Sequence, residues 1–323
     1  MMEVLKNHQE PFDLLPDEMV VNTLSFIDAD TLLNCRLVCK RWRELIDAYV
    51  FQEKASRENE YVNNGRGYYS FSKIDSSNIR KLELSWYVFY VICKYDPFNR
   101  NLVKNHCGQN QYMHWSITND HNWWTIEETP EGAPLLPDDP DFDGYTSCFV
   151  STYRLCSKRQ NIIFKNYGLN DIVMKALQPE ISVSEWYTGR FDCGCKYALR
   201  ATVHDRNDKL IEQHNYNDIL PQWEANIWTK ASHSFKNQSN ASHLILYHSG
   251  VDTQYWAGHY GTKISGSVVK VLLPIKFKWI LTGNIVNIHI IMLMENGQTT
   301  ITTQSSKELL RDIEIYNPKP VIP

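Results

Sequence analysis

The spacing of apolar side chains changes part-way along this chain, and that change limits the fold more than any other feature. Up to about residue 54 the spacing is helical; from about residue 98 short alternating runs broken by turns take over. A single layer of secondary structure cannot bury both patterns, so the reading is a small helical module followed by a β-domain. The 323 residues are enough for two domains.

Leu14-Leu15-Pro16-Asp17-Glu18 opens the first helix. Pro near the first turn loses no internal hydrogen bond, and the acids complement the dipole there. Apolar residues follow at Met19, Val20, Leu24 and Ile27. Asp28-Ala29-Asp30-Thr31 breaks and restarts the chain, with Asp30 the expected N-cap. A second helix carries Leu32, Leu33, Leu37 and Val38. A third runs from about Cys39 towards Lys54, with Trp42, Leu45, Ile46 and Tyr49 on one face. So short a bundle has more apolar side chains than core volume, and the surplus face is expected to cover a partner chain.

Leu14-Leu15-Pro16-Asp17-Glu18 and Cys35-Arg36-Leu37-Val38-Cys39-Lys40-Arg41-Trp42 resemble an F-box. The resemblance implies binding to the adaptor subunit that links substrate receptors to the cullin of an SCF-type ubiquitin ligase. Leu15, Pro16, Leu32, Leu33, Leu37 and Val38 are the candidates for that surface, although several could form the module's own core. Trp42 is assigned to that core. Cys35 and Cys39 lack a second ligand pair and read as packed thiols rather than a zinc site.

The F-box is expected over residues 10–57 and a linker or docking segment over 58–97. Ser56 to Ser77 is polar and broken by Gly65 and Gly67. Trp86 to Tyr95 is apolar and aromatic, either a helix or a strand that docks the F-box on the β-domain.

In the β-domain, Tyr197, Leu199, Ala201 and Val203 alternate with Lys196 and Arg200. Leu244 to Tyr247 reads as a buried strand followed by a turn at Ser249-Gly250, and Val268 to Leu272 as another strand. Many short strands with regular turns argue for a sandwich. Residues 98–273 resemble the F-box-associated (FBA) domain, a jelly-roll, galactose-binding-like sandwich, which makes the whole an α+β multidomain chain. The matching segments are Asn101 to Asn105 with Gly108 and Trp115, Trp124 to Glu128, Ser182 to Tyr187, Asp192 to Tyr197, Trp228 to Lys230 and, most specific, Asp252-Thr253-Gln254-Tyr255-Trp256-Ala257-Gly258-His259-Tyr260-Gly261.

Glycoprotein-recognising members of that family hold the inner GlcNAc pair of an N-glycan in loops at one end of the sandwich. By motif, Tyr255 and Trp256 would stack on sugar, Ala257 and Gly258 would line the loop, and Asp192 would supply a carboxylate. Tyr153 falls where the family often has Phe, Ala257 where some members have Lys, and His259 where an aromatic is common. A pyranose offers C–H groups on its faces and hydrogen-bonding groups on its rim, so a flat ring with a carboxylate beside it suits it. The other reading of Tyr255 and Trp256 is that they plug the end of the sandwich.

Other signals are weaker. Asp139 to Gly144 imitates half of a calcium loop, but its twelfth position is Val150, and a solvated acidic loop is expected. Cys193-Gly194-Cys195 lacks the spacing of a redox or zinc motif. No nucleophile motif accompanies His204, His233, His248 or His259. Catalytic residues, metal and cofactor are therefore not expected. A net charge of −4 gives no reason to expect nucleic acid, and no apolar run is long enough to span a membrane. The start lacks a secretory pattern, which implies a cytoplasmic protein with reduced thiols and with Asn237 and Asn240 unmodified. Residues 274–323 form a tail without an assigned role, with Val286 to Met294 strand-prone and Lys307 to Ile313 a candidate helix.

The expected function is that of a non-catalytic receptor that delivers misfolded, retrotranslocated N-glycoproteins to the ligase. The rivals are a receptor for a protein without glycan and a jelly-roll carbohydrate hydrolase, which would need a second acid beside Asp192.

Overall fold

The computed structural model describes residues 15–58, 85–118, 120–273, 288–295 and 298–305. The chain divides into two compact units. The linker between residues 59 and 84 and the candidate helix Lys307 to Ile313 lie outside the described residues.

In the helical unit, α1 (Asp17–Leu24) starts after Pro16 and buries Val20, Val21 and Leu24. At the start of α2 (Ala29–Cys35), Thr31 N donates to Asp28 Oδ1 at 2.9 Å. Asp28, not the expected Asp30, therefore satisfies the free amide there, because only it precedes the first helical turn. Cys39 caps α3 (Lys40–Leu45), its sulfur accepting from Trp42 N at 3.4 Å. The third helix then passes through one π turn (Ile46–Val50) into α4 (Phe51–Glu58), ending beyond Lys54. Trp42 is half-buried. The arginines of the F-box-like segment are structural: Arg36 forks onto Asp47 at 2.6 and 3.0 Å, and Arg41 reaches Asp17 at 2.7 Å. Two strands, β11 (Ile288–Glu295) and β12 (Gln298–Ser305), pair as a hairpin.

The six residues nominated for adaptor binding divide. Leu32 is completely buried, as are Ile46 and Val50, so it supports the fold and leaves the candidate surface. Leu15 and Leu33 are half-buried and Pro16 is exposed. Leu37 and Val38, between α2 and α3, are 73% and 64% exposed, an unusual placing for adjacent aliphatics.

The second unit begins with α5 (Trp86–Tyr95), which settles the helix-or-strand ambiguity in favour of a helix. It packs on the end of the β-domain: Asn170 Nδ2 donates to Tyr87 Oη at 2.7 Å, and a Cβ at Gly168 would lie 2.5 Å from the Tyr95 ring. Two antiparallel five-stranded sheets follow. One has the order β1 (Ser116–Ile117), β4 (Cys156–Ile163), β9 (His243–Asp252), β6 (Cys195–His204), β7 (Leu210–Leu220). The other has the order β2 (Trp124–Glu127), β3 (Cys148–Ser151), β10 (Lys263–Leu272), β5 (Glu180–Thr188), β8 (Thr229–Phe235). A short α6 (Asp171–Leu177), capped by Asn170, joins β4 to β5. The alternation expected in β6 is present, with Tyr197, Leu199, Ala201 and Val203 inward.

The turn expected at Ser249-Gly250 does not occur; β9 runs on to Asp252. Gly250 is there because the other sheet comes too close for a side chain: a Cβ would lie 2.8 Å from Thr262 Cβ and 2.9 Å from Ser151 Oγ.

Between the sheets lies a polar cluster. Glu185 is fully buried and accepts from Tyr197 Oη and His248 Nδ1, each at 2.6 Å, and from Ser267 Oγ. Burial would raise its carboxyl, but His248, Lys158 and the hydrogen bonds outweigh that and hold it below the ordinary value. Burial holds His248 down to about 4, so at neutral pH a neutral imidazole donates to the carboxylate. Lys158 is also fully buried, its Nζ 3.4 and 3.5 Å from the ring centres of Phe149 and Trp115. Burial pushes its ammonium well below the usual range.

Candidate functional site

Antiparallel pairing places five connections at one end of the sandwich: residues 118–123, 152–155, 189–194, 221–228 and 253–262. The α5 helix attaches at the opposite end, beside the turn between β4 and β5. All five nominated residues stand on these loops: Tyr153 on 152–155, Asp192 on 189–194, and Tyr255, Trp256 and Ala257 on 253–262.

Backbone hydrogen bonds tie these loops together. Asp252 N donates to Thr152 O at 3.0 Å, Thr253 N to Gly194 O at 2.9 Å, and Gly261 N to Ser151 O at 2.9 Å. Gln222 Nε2 donates to Asp192 O at 2.9 Å, and His259 Nε2 lies 3.2 Å from Asn122 O. Asp252 shapes the aromatic loop from below. It is buried, and its Oδ1 accepts from Gln254 N and Tyr255 N, both at 2.6 Å. That carboxylate holds Tyr255 in the left-handed region at φ +60°, a conformation uncommon for an aromatic residue.

The outcome is exposure. Tyr255 is 76% exposed and Trp256 44%, so neither plugs the sandwich. Trp256 rests edge-on against Tyr260, with centroids 6.3 Å apart. Gly258, at φ +135°, makes room for that support, because a Cβ there would lie 2.6 Å from the Tyr260 ring. Next to Tyr260 stands Arg190, 5.3 Å from its centroid, and Arg190 Nε bonds Asp192 Oδ1 at 2.7 Å. The nominated carboxylate is therefore one half of an ion pair at the surface, linked to Trp256 through Arg190 and Tyr260. Tyr153 is half-buried and lies against the Arg154 guanidinium at 5.7 Å, which also covers Trp123 at 5.1 Å. Ala257 is exposed.

Arg190, Tyr260 and Asp252 were not singled out in the sequence as parts of this site. For Asp252 a signal existed, since Asp two and three residues before the amides of a tight turn is an Asx-turn pattern. For Arg190 none did, because its partners in space come from other loops.

Two sequence readings change. The acidic loop is not simply solvated: Asp141 is buried and accepts from Lys230 at 2.6 Å and Ser184 at 3.2 Å, with Lys270 at 3.5 Å, while Asp139 caps the short turn. It staples this segment to the second sheet. Val150, the position a calcium loop needs as an acid, is a buried strand residue. Cys193 and Cys195 are both buried free thiols, pushed up by burial to about 11 and about 12, which makes them poor nucleophiles.

Comparison with known proteins now decides the family. The F-box associated region (FBA) matches residues 93–271, more than half of the chain, and an F-box-like region matches residues 12–53. The chain belongs to the F-box-associated family. FBA relatives include human F-box only protein 17, 30% identical over 80% of this chain and 92% of that protein. Mouse F-box only protein 27 is 30% identical over 81% and 91%, and rat F-box only protein 6 is 29% identical over 80% and 85%. Among solved structures, a xylan-binding CBM22 domain from Paenibacillus barcinonensis is 12% identical, covers 55% of this chain and 98% of that one, and superposes with a TM-score of 0.34. That last likeness says nothing about ligands. The helical module, the sandwich and their order along the chain match the F-box and FBA reading of the sequence.

Proposed function

We propose that this chain is the substrate-recognition subunit of an SCF-type ubiquitin ligase and that its FBA sandwich captures N-glycosylated, misfolded proteins in the cytoplasm for ubiquitination. The helical module docks on the adaptor subunit through Leu37 and Val38, with Leu15, Pro16 and Leu33 around them, and through the adaptor on the cullin. Two exposed adjacent aliphatics on a module with a complete core of its own support that assignment.

The observation that carries the glycan reading is the exposed Tyr255–Trp256 pair, fixed on a loop braced by Asp252 and lying beside the Asp192–Arg190 ion pair. Flat rings meet the C–H face of a GlcNAc, and the ion pair and loop amides meet its rim. Each stacking contact contributes on the order of 1 kcal/mol, and a shallow site of this kind binds in the micromolar range, about −8 kcal/mol. Catalysis belongs to other subunits. Asp192 is engaged by Arg190, and Asp252 is buried against loop backbone, so neither stands as the free acid of a hydrolase.

The test is Trp256→Ala in the full chain. Capture of chitobiose-bearing proteins is lost while co-purification of adaptor and cullin persists. Undiminished capture by the variant, or wild-type capture that survives enzymatic removal of the glycans, refutes the glycan reading.

A further inference from the structure

Away from the loop end, where Phe191, Trp223, Tyr255 and Trp256 are exposed, the least protected surface is a sheet edge. The two sheets have four edge strands, β1, β7, β2 and β8. An edge that stays unpaired is normally short, or is blunted by lysine or proline. β1 has 2 residues and β2 has 4, and β8 carries Lys230. β7 is the exception, with 11 residues and neither lysine nor proline. Among the described residues it pairs with β6 alone. Ile219 N donates to the neighbouring Asp218 Oδ1 at 2.8 Å, outside the β6 ladder. By the two-residue period of a strand, the amides and carbonyls of Gln213, Asn215 and Asn217 point to the same open side. The side chains of those three residues and of Ile219 are exposed.

The order of residues along β7 says what fits this edge. Read outward from Asn215, the strand is a chemical palindrome. His214 and Tyr216 carry rings, Gln213 and Asn217 amides, Glu212 and Asp218 carboxylates; Ile211 matches Ile219, and Leu210 matches Leu220. An antiparallel pair of such strands centred on Asn215 sets each residue opposite its own chemical kind. Asn215 then meets Asn215, and Gln213 meets Asn217. Their backbone groups face outward, so these three central pairs exchange about six hydrogen bonds. At the ends, Leu210 and Ile211 of one strand come alongside Ile219 and Leu220 of the other, which covers the exposed Leu210, Ile211 and Ile219. Only the carboxylates meet with like sign, and each is engaged by its own domain. Glu212 accepts from Gln238 Nε2 at 2.7 Å, and Asp218 from Tyr187 Oη at 2.6 Å.

We propose that β7 is a dimerisation edge: two copies of this chain pair through it, antiparallel, with the two-fold axis at Asn215, and join their five-stranded sheets into one. Such a contact buries less than the roughly 1,200–2,000 Å² of a standard interface, so the dimer forms and separates reversibly with concentration. Antiparallel pairing sends the two loop ends in opposite directions, so neither Tyr255–Trp256 pair enters the interface. The pairing does not depend on what those loops bind.

The test is sedimentation equilibrium of the full chain over a range of concentrations. The wild type shows a reversible monomer–dimer equilibrium. Asn215→Lys sets two ammonium groups face to face at the axis and weakens the dimer roughly fivefold or more. Its melting temperature stays within a few degrees of the wild type, because the side chain is exposed. Charge exchange reads the register. Gln213→Lys with Asn217→Lys, and Gln213→Glu with Asn217→Glu, each abolish self-association. An equimolar mixture of the two double variants restores a dimer, because position 213 of one copy meets position 217 of the other. A wild type that stays monomeric up to about 0.5 mM overturns the proposal. So does assembly that continues past the dimer, since a two-fold contact closes on itself. A dimer that these variants retain, or a mixture that stays monomeric, overturns the pairing through β7.

Discussion

Replacing Asp252 by Ala tests whether one buried carboxylate fixes the aromatic loop. Its Oδ1 accepts two backbone amides, Gln254 N and Tyr255 N, each at 2.6 Å. At about 1.5 kcal/mol for a hydrogen bond to a charged group, the pair contributes about 3 kcal/mol to closing the loop. Losing it raises the open population roughly 150-fold. The whole domain loses less. Asp252 Oδ2 is buried without a hydrogen-bond partner among the described residues, so removing the carboxylate also removes an unfavourable desolvation. The expected signature is therefore local: amide hydrogen exchange at Gln254 and Tyr255 accelerates about 100-fold, while the melting temperature falls only a few degrees. Affinity for chitobiose drops with the closed population. If both amides keep their protection within threefold, Asp252 does not brace the loop, and Tyr255 owes its left-handed conformation to something else.

Gly250→Ala places a Cβ 2.8 Å from Thr262 Cβ in the packed interior, and should cost about 1–3 kcal/mol in denaturant unfolding; an unchanged midpoint would contradict the close approach of the sheets. Acidification should weaken the fold between pH 6.5 and 4, because the unfolded chain protonates His248 at its ordinary value while the buried imidazole, facing Glu185 and Lys158 and stacked on Trp115, resists until about 4. The loss over that window is about 3 kcal/mol; Glu185, held below its ordinary value, adds to it at the acid end. His248→Gln should flatten the stability profile over that window, and an unchanged slope would refute the assignment. Leu37→Asp with Val38→Asp should leave unfolding within about 0.5 kcal/mol yet abolish co-purification of the adaptor subunit, since both side chains are already in solvent.

The features legible in the sequence and those hidden from it divide along one physical line. Local periodicity is carried by neighbours in the chain, so the alternation of Tyr197, Leu199, Ala201 and Val203 could be read directly, as could the turn-rich layout of a sandwich. Gly250 was misread as a turn because a glycine that relieves a contact between sheets looks, in one dimension, like a glycine that bends the chain. The acidic loop looked solvated because Lys230 and Lys270, which bury Asp141, lie about ninety and 130 residues further on. Asp30 was expected as the cap of α2, and Asp28 takes that role because the helix begins one residue after it. Leu32 and Leu37 share one apolar helix pattern, and only packing separates the buried one from the exposed one.

The site obeys the same rule. Its most specific motif, Asp252 to Gly261, was legible because one loop carries both the aromatic pair and the carboxylate that shapes it. Arg190, Phe191 and Trp223 were not, because the sheet orders β4-β9-β6-β7 and β3-β10-β5-β8 bring the connections 189–194 and 221–228, separate in sequence, to the same end as the 253–262 loop. That construction also fits a receptor that holds its ligand with few contacts. A shallow surface cannot offset a large ordering cost on binding, so its loops must be ordered beforehand. Here the bonds Asp252–Thr152, Thr253–Gly194, Gly261–Ser151 and Gln222–Asp192 tie four loops to one another. Within the sandwich unit, the α5 helix meets the β-domain at the end opposite the exposed rings of Tyr255 and Trp256.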